Sequence, residues 1–369
     1  MHRHRLVVPE VPDAAEYLPL LEEMQSNGWY SNFGPLARRL EEQLLAALGA
    51  PQETCVTCCN ATAGLSAALL ATGRAGQVLL PAFTFAASLG AIRAAGMTPL
   101  VADVDPMSWT LSPDSIERAL TGTDVRIVML VAPFGIARNW EQELTICRRH
   151  DAAVIIDNAS GLGGPRNPIG LGPEGFEVFS MHATKPYAVG EGGVIFADSI
   201  HESALRSVLN FALTAPDKSD GPRWGFNGKM SELHAAIGLA QLKRFRERIG
   251  ERQAFVAVYQ DRLAHRPEVT FPGQVNLAPW QFFPILLPSA AAAERFIARA
   301  AVNGIEIRRY YRPSLSRWPQ TPCVEGCPVA EDLADRMCLL PVRSMSAGAE
   351  AHEIIDSTLN SLDQALAVH

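Results

Sequence analysis

Short apolar runs alternate with amphipathic stretches along most of the chain. The runs at 77–81, 98–103, 125–131, 153–157, 176–180 and 193–197 are mostly apolar at successive positions, as strands covered by helices on both faces are. The stretches 60–72, 113–120 and 139–150 between them carry a helical spacing of apolar residues. Strand–helix alternation predicts an α/β fold with a mainly parallel central sheet flanked by helices. From about 230 the pattern changes. Met230-Ser231-Glu232 opens a nearly unbroken helical stretch that runs to Leu263, with Pro267 just beyond. It predicts a bridging helix between a large α/β domain over 1–250, which includes an N-terminal segment 1–34, and a small C-terminal α+β domain over 251–369. The small domain is expected to hold a strand at 280–287, a helix at 290–303, an extended segment at 305–311 and helices near 329–337 and 348–365.

Composition narrows the picture. With 369 residues the chain is long enough for one large and one smaller core. Hydrophobic residues at 48% and charged residues at 19% describe a globular protein, not a disordered one. A formal net charge of −7 argues against a general nucleic-acid binder, while leaving room for a local basic pocket. The apolar stretch after Arg5 is too short for a signal peptide. No apolar run reaches the roughly 18 residues of a membrane span, so a cytoplasmic protein is expected. The seven cysteines are irregularly spread. Cys55, Cys58 and Cys59 resemble half a zinc site, but Cys323 and Cys327 bring no matching pair. Buried reduced thiols and no metal are expected.

Three places carry candidate chemistry. Lys185 lies between two apolar strands, where a free ammonium is costly; a covalent imine with a carbonyl cofactor would resolve that cost. Asp157 ends the run Val154-Ile155-Ile156, and ligands of open α/β sheets sit beyond the carboxyl ends of strands. Taken singly, a surface-loop lysine and a turn-capping aspartate account for both. Asn60-Ala61-Thr62 opens a helix, and free N–H groups at a helix start suit a phosphate. Ser180 could add a donor there, and Phe85 could stack on a flat ring; an ordinary cap and core packing are the alternatives.

Together these segments resemble the DegT/DnrJ/EryC1/StrS group of sugar aminotransferases, fold type I enzymes that use pyridoxal phosphate. The resemblance runs from about Gly28 to the last helix. It is carried by Gly28-Trp29-Tyr30-Ser31-Asn32-Phe33-Gly34-Pro35, Asn60-Ala61-Thr62, Pro81-Ala82-Phe83-Thr84-Phe85, Asp103-Val104-Asp105 and Asp157-Asn158-Ala159-Ser160. The segments Ser180 to Lys185, Gly190-Glu191-Gly192-Gly193 and Gly225 to Leu233 follow in the same order. The resemblance implies that Lys185 carries the cofactor as a Schiff base and shuttles protons, and that Asp157 holds the pyridinium proton. It implies phosphate contacts from Ala61, Thr62 and Ser180, stacking by Phe85, and a reach by Asn227 to the cofactor of a neighbouring subunit in a homodimer. It leaves His182 without a role.

Some positions depart from the family pattern. Ala61 stands for a glycine, and Gly228 for a tyrosine. Ser160 stands for a longer side chain that touches the cofactor's phenolic oxygen, so a bridging water is expected there. Ser316 replaces a histidine and suggests an altered acceptor pocket. The implied reaction moves an amino group from an amino acid, L-glutamate by resemblance, to a keto-sugar linked to a nucleotide diphosphate, with pyridoxamine phosphate as the intermediate cofactor form. Lys229, Arg308, Arg309, Tyr310 and Arg312 are the candidate substrate contacts, because a diphosphate favours clustered cations. A keto-cyclitol aminotransferase is the nearest rival. A sugar dehydratase is disfavoured, because position 185 is lysine. A cofactor-binding regulatory protein without turnover would have no need of the Lys185–Asp157 pair.

Overall fold

The computed structural model describes residues 3–166, 175–215, 218–219, 224–272, 277–345 and 348–367. The elements of its first part are α1 (Ala14–Asn27), α2 (Pro35–Leu48), β1 (Glu53–Cys58), α3 (Ala61–Ala71), β2 (Gln77–Pro81), α4 (Ala86–Ala94) and β3 (Thr98–Ala102). They continue with α5 (Pro113–Gly122), β4 (Val125–Val131), α6 (Glu141–Arg149), β5 (Ala153–Asp157), β6 (Gly175–Ser180), β7 (Gly193–Asp198) and α7 (Glu202–Val208). A short ribbon follows, β8 (Leu213–Ala215) with β9 (Lys218–Ser219). The last part holds α8 (Glu232–Leu263), β10 (Phe282–Leu286), α9 (Ala290–Val302), β11 (Arg308–Arg309), α10 (Pro328–Arg336), β12 (Met337–Pro341) and α11 (Ala349–Leu366).

The large sheet has the order β1-β7-β6-β5-β4-β2-β3. The pairs β2–β3, β2–β4, β4–β5 and β5–β6 are parallel. β7 runs antiparallel to both of its neighbours, β6 and β1. That reversal makes 181–192 a loop between adjacent strands, set at the end of the sheet where β5 also finishes. Both faces of the sheet are covered: Val78, Leu80, Ile127 and Val178 pack into one apolar cluster, and Leu79, Val128, Leu130 and Ile156 into another.

Helix α8 joins two cores. Its first half sends Ala235, Ala236, Leu239 and Phe245 into a cluster with α2 and β7. Its second half sends Phe255, Val256, Tyr259 and Leu263 into a cluster with Trp280, Phe283, Phe296 and Ile354. The small sheet, of order β10-β12-β11, lies between. Strand alternation splits its side chains: Phe282, Leu286, Met337 and Leu339 join the core under the large sheet, while Phe283, Ile285, Cys338 and Leu340 face the other way. The small unit is thereby packed against the large one, which brings the segment ahead of β10 to the ends of β5 and β6. Among the described residues no helix is long and apolar enough to cross a membrane, and no group of metal-ligating side chains forms.

The extended segment expected over 305–311 contracts to the two residues of β11. Strand β12, the centre of the small sheet, was not expected: only its first residue, Met337, falls in a predicted element, the helix near 329–337. Met337-Cys338-Leu339-Leu340 continues directly from α10 with no glycine or proline between them, so the run has no local mark of a strand.

Candidate active site

The lysine loop is shaped by backbone bonds across its mouth. Met181 N–H donates to Gly192 (2.9 Å), Val189 N–H to Met181 (2.9 Å) and Ala183 N–H to Gly190 (2.7 Å). Gly190 turns the chain at φ 98°, a left-handed value that a side chain resists. The residues after the lysine tie the loop to α8. Buried Tyr187 donates its hydroxyl to the Gly238 carbonyl (2.6 Å), and Gln241 donates to Pro186 (3.3 Å). Lys185 therefore projects from an anchored turn.

Its ammonium donates to Ser160 Oγ and to Gln281 Oε1, each at 2.9 Å. Burial lowers the amine to about 8, and the opposing attraction of Asp157 is too weak to restore it. Asp157, at the end of β5, is 6% exposed. Its Oδ2 accepts from Ser88 Oγ at 2.6 Å, and its Oδ1 from the Ala159 N–H at 3.2 Å. Ser88 in turn meets Thr84 Oγ1 at 3.0 Å. Burial raises the carboxyl above its ordinary value, against the pull of Ser88, Ala159 and Lys185.

A cavity of about 890 Å³ joins these groups to the start of α3. Asn60 caps that helix, its Oδ1 accepting from Ala63 N–H at 2.9 Å. The N–H groups of Ala61 and Thr62 lie in the first turn, where no intrahelical acceptor exists. Gly193 presses against this turn. A Cβ there would come within 2.8 Å of the Ala61 nitrogen, so the glycine lets β7 pass close under the helix start. Ser180, at the end of β6, lines the same end of the cavity, and its Oγ accepts from the His182 N–H at 3.2 Å. Phe85 lies over the opening, 57% exposed, with its ring centroid 6.4 Å from Tyr310 and 6.5 Å from Tyr311.

Of the residues singled out from sequence, Ala61, Thr62, Phe85, Asp157, Ser160, Ser180, Lys185 and Tyr310 all line this one cavity. Asn227 is exposed and outside it. The expected cationic contacts are placed elsewhere. Lys229 is buried, donating to Asn210 Oδ1 (2.8 Å) with its nitrogen 4.7 Å from the Phe211 ring centroid. Arg308 pairs with Glu306 (2.8 Å), and Arg312 with Asp335 (2.9 Å), a carboxylate it shares with Arg317. Arg309 reaches the Asp335 carbonyl (3.1 Å). None of these four lines the cavity; the arginines are held by acids of their own unit, so the diphosphate clamp expected of them is not assembled. Ser316 bonds to Ser314 (3.0 Å) and Glu331 (2.9 Å) and also stays outside. It therefore does not reshape the pocket directly.

Sequence reasoning missed Gln281, Ser88 and Tyr311. Ser88 stands one helical turn beyond Thr84, and that spacing is its only signal. Tyr311 is half-buried and stacks on Phe134 (centroids 5.2 Å apart, planes 2° apart). Gln281 precedes β10, 121 positions from Ser160, and nothing in its neighbourhood marks it. His182 has its Nδ1 at 2.9 Å from Thr184 Oγ1 and its Nε2 at 3.6 Å from Glu191, so it braces the loop.

A lysine amine brought near neutrality, a buried carboxyl and a helix start thus face one cavity. The chain belongs to the DegT/DnrJ/EryC1/StrS aminotransferase family, whose model matches residues 13–359. It is 29% identical over 347 residues to the dTDP-4-amino-4,6-dideoxy-D-glucose transaminase of Escherichia coli, covering 90% of this chain and 92% of that protein. The solved structure of DesI in the presence of its TDP-sugar product is 30% identical, with a TM-score of 0.86 over 97% of this chain and 92% of that one. A DegT DnrJ EryC1 StrS aminotransferase from Brucella abortus is 25% identical, with a TM-score of 0.83 over 94% and 95% of the two chains.

Proposed function

We propose that the protein is a pyridoxal-phosphate-dependent sugar aminotransferase working through Lys185 and Asp157. The observation that carries this reading is the convergence of Lys185, Asp157 and the α3 start on one cavity. The fit can be judged from the residues themselves. The close approach of Gly193 to the first turn of α3 leaves a backbone cradle with Ser180 beside it, which suits a phosphate. Lys185 would hold the aldehyde end, Asp157 the ring nitrogen, and Phe85 would cover the ring. When bound, pyridoxal phosphate supplies an aldehyde that links to amines and a ring that accepts the electron pair of a broken Cα–H bond.

The chain's own work is positioning and proton transfer. Asp157, its carboxyl raised by burial and steadied by Ser88, would hold a proton toward the ring nitrogen. Lys185, at about 8, has the proton affinity to take a proton at Nζ and return it near neutral pH. Ser160 and Gln281 hold that nitrogen in place between transfers.

L-glutamate as amino donor and a nucleotide-diphosphate-linked keto-sugar as acceptor complete the reading. The acceptor class is supported by the names of the Escherichia coli transaminase and of DesI with its TDP-sugar product; the donor follows from the family resemblance. We further propose a homodimer. Asn227 and Trp224 are exposed on one segment, Phe211 bonds to it through Phe226, and Trp29 and Tyr30 lie beside its end at Glu232. Such an apolar patch fits a subunit contact, and a single-chain mass by light scattering would refute it. The central test is chemical. Borohydride treatment of the cofactor-loaded protein should fix a pyridoxyl mass on the peptide containing Lys185. In unreduced protein, L-glutamate should discharge the visible band, and a nucleotide-linked keto-sugar should restore it. A fixed mass on another peptide, or none, would sink the reading.

A further inference from the structure

Gln281 is 5% exposed and lines the cavity. Its Oε1 accepts twice, from Lys185 Nζ at 2.9 Å and from Ser160 Oγ at 3.1 Å. A primary amide has two further donors on its nitrogen. Among the described residues no acceptor faces Nε2, and that atom is not sealed among buried unpartnered groups. The amide therefore has its acceptor side committed to the lysine and its donor side open toward the cavity. Its seat is fixed from behind, because Arg252 donates to the carbonyl of Trp280 at 2.8 Å. A buried amide with unused donors costs free energy unless a ligand supplies an acceptor.

We propose that Gln281 donates from Nε2 to the ring oxygen next to the reactive carbonyl of the bound cofactor, while Ser160 fixes the amide's orientation. This rests on the pyridoxal phosphate reading. The phenolic oxygen of that ring is an anionic acceptor placed beside the carbon that meets Lys185, which is where the Gln281 amide stands. Ser160 is then a positioning residue: its hydroxyl donates to Gln281 Oε1 and holds the flat amide in one of its two orientations. The small unit, which already lines the cavity with Phe282, Tyr310 and Tyr311, thus supplies a cofactor contact through the segment leading into β10.

The readout is the pH midpoint of the visible absorption band of the lysine–cofactor linkage, which needs no substrate. A donor to the ring oxygen stabilises its anionic form and so favours loss of the linkage proton. The other titratable groups on the cavity are Asp157 from β5, His182 and Glu191 from the lysine loop, and Tyr310 and Tyr311 beyond β11; the variants leave all of them in place. Gln281→Leu keeps the volume and removes the donor, and it should move the midpoint up by about one unit. Gln281→Glu keeps the polarity but replaces the donor with a carboxylate, and should move it in the same direction. Ser160→Ala should give a smaller upward shift. An unmoved midpoint in Gln281→Leu and Gln281→Glu overturns the proposal, as does a Ser160→Ala shift equal to or larger than theirs. Absence of any linkage at Lys185 in the unaltered protein would instead refute the cofactor reading itself, so the two failures are told apart.

Discussion

Lys185 buries its amine at the expense of folding. Its amine falls to about 8 because burial disfavours the ammonium more than Asp157 favours it. An unfolded lysine titrates near 10.4. Below pH 8 the amine is protonated in both states, and the folded protein bears the full penalty of a poorly solvated charge. Between about 8 and 10.4 the unfolded chain holds the extra proton, so stability rises with pH and the penalty fades. Lys185→Met in the cofactor-free protein should therefore gain about 2 kcal/mol at pH 7 by denaturant unfolding, with the gain shrinking above pH 8, and should show no transamination. A variant no more stable than the parent at pH 7 would mean that Ser160 and Gln281 solvate the ammonium fully. Lys185 and Asp157 stood out in the sequence only through the family resemblance that joins their segments, because an apolar strand before each fits an ordinary loop lysine or capping aspartate as well. Their partners did not stand out at all, since Gln281 and Ser88 reach them only through tertiary packing. The arginines at 308, 309 and 312 misled for a related reason: clustering in sequence shows that cations are near one another, but not which carboxylates claim them.

At the scale of elements, two distant motifs meet at one carboxylate. Glu232 opens α8, capped by Ser231 (3.3 Å to the His234 N–H), and is 1% exposed. Its oxygens accept the N–H groups of Leu36 (2.7 Å) and Ala37 (2.9 Å) at the start of α2. One acid thus sits at two helix N-termini, where negative charge is favoured. Gly34 is required beside it, because a Cβ there would come within 2.6 Å of the Glu232 carboxyl carbon. This contact gives a physical reason for Gly34-Pro35 and Ser231-Glu232 to occur together. Glu232→Ala would orphan two buried N–H groups and should cost about 2–3 kcal/mol, read as a lowered denaturation midpoint; a loss under about 0.5 kcal/mol would show that water replaces the carboxylate. Strands β2 to β7 of the large sheet were readable from sequence almost to the residue, because each is a mostly apolar run closed by polar or glycine-containing turns, whereas β1, Glu-Thr-Cys-Val-Thr-Cys, is not such a run. β12 was not readable either, because its neighbour α10 runs into it without punctuation.

Across the whole molecule, Arg252 is where the parts are joined. It is 3% exposed in the second half of α8. It donates to Glu10 of the N-terminal segment (3.0 Å), to Ser344 beyond β12 (2.8 Å) and to the Trp280 carbonyl ahead of β10 (2.8 Å). Glu10 also accepts from the Ser344 N–H at 3.1 Å. Burial alone would raise the Glu10 carboxyl, but Arg252 and Ser344 outweigh it and leave it below the usual value. A carboxyl depressed in the folded state contributes stability that is fully present above its unfolded value, near 4.3, and is lost as pH falls through the folded one. Glu10→Gln removes the charge but keeps the shape, leaving the Arg252 guanidinium buried without its counter-ion. Because breaking such a pair costs more than the pair contributes, the variant should lose about 2 kcal/mol at pH 7. The gap to the parent should narrow as pH falls below the unfolded carboxyl's value, near 4.3, because the unfolded chain then takes up a proton that the folded carboxyl resists. Parallel unfolding curves at pH 7 and pH 3.5 check both halves of this expectation. The same lesion reaches the site, since Trp280 precedes Gln281 and the amide held against Lys185 depends on where that carbonyl is kept. A loss of stability that stayed constant from pH 7 to pH 3.5 would show that the variant acts through packing and not through the charge of Glu10, and the junction would then be a steric joint and not an electrostatic one.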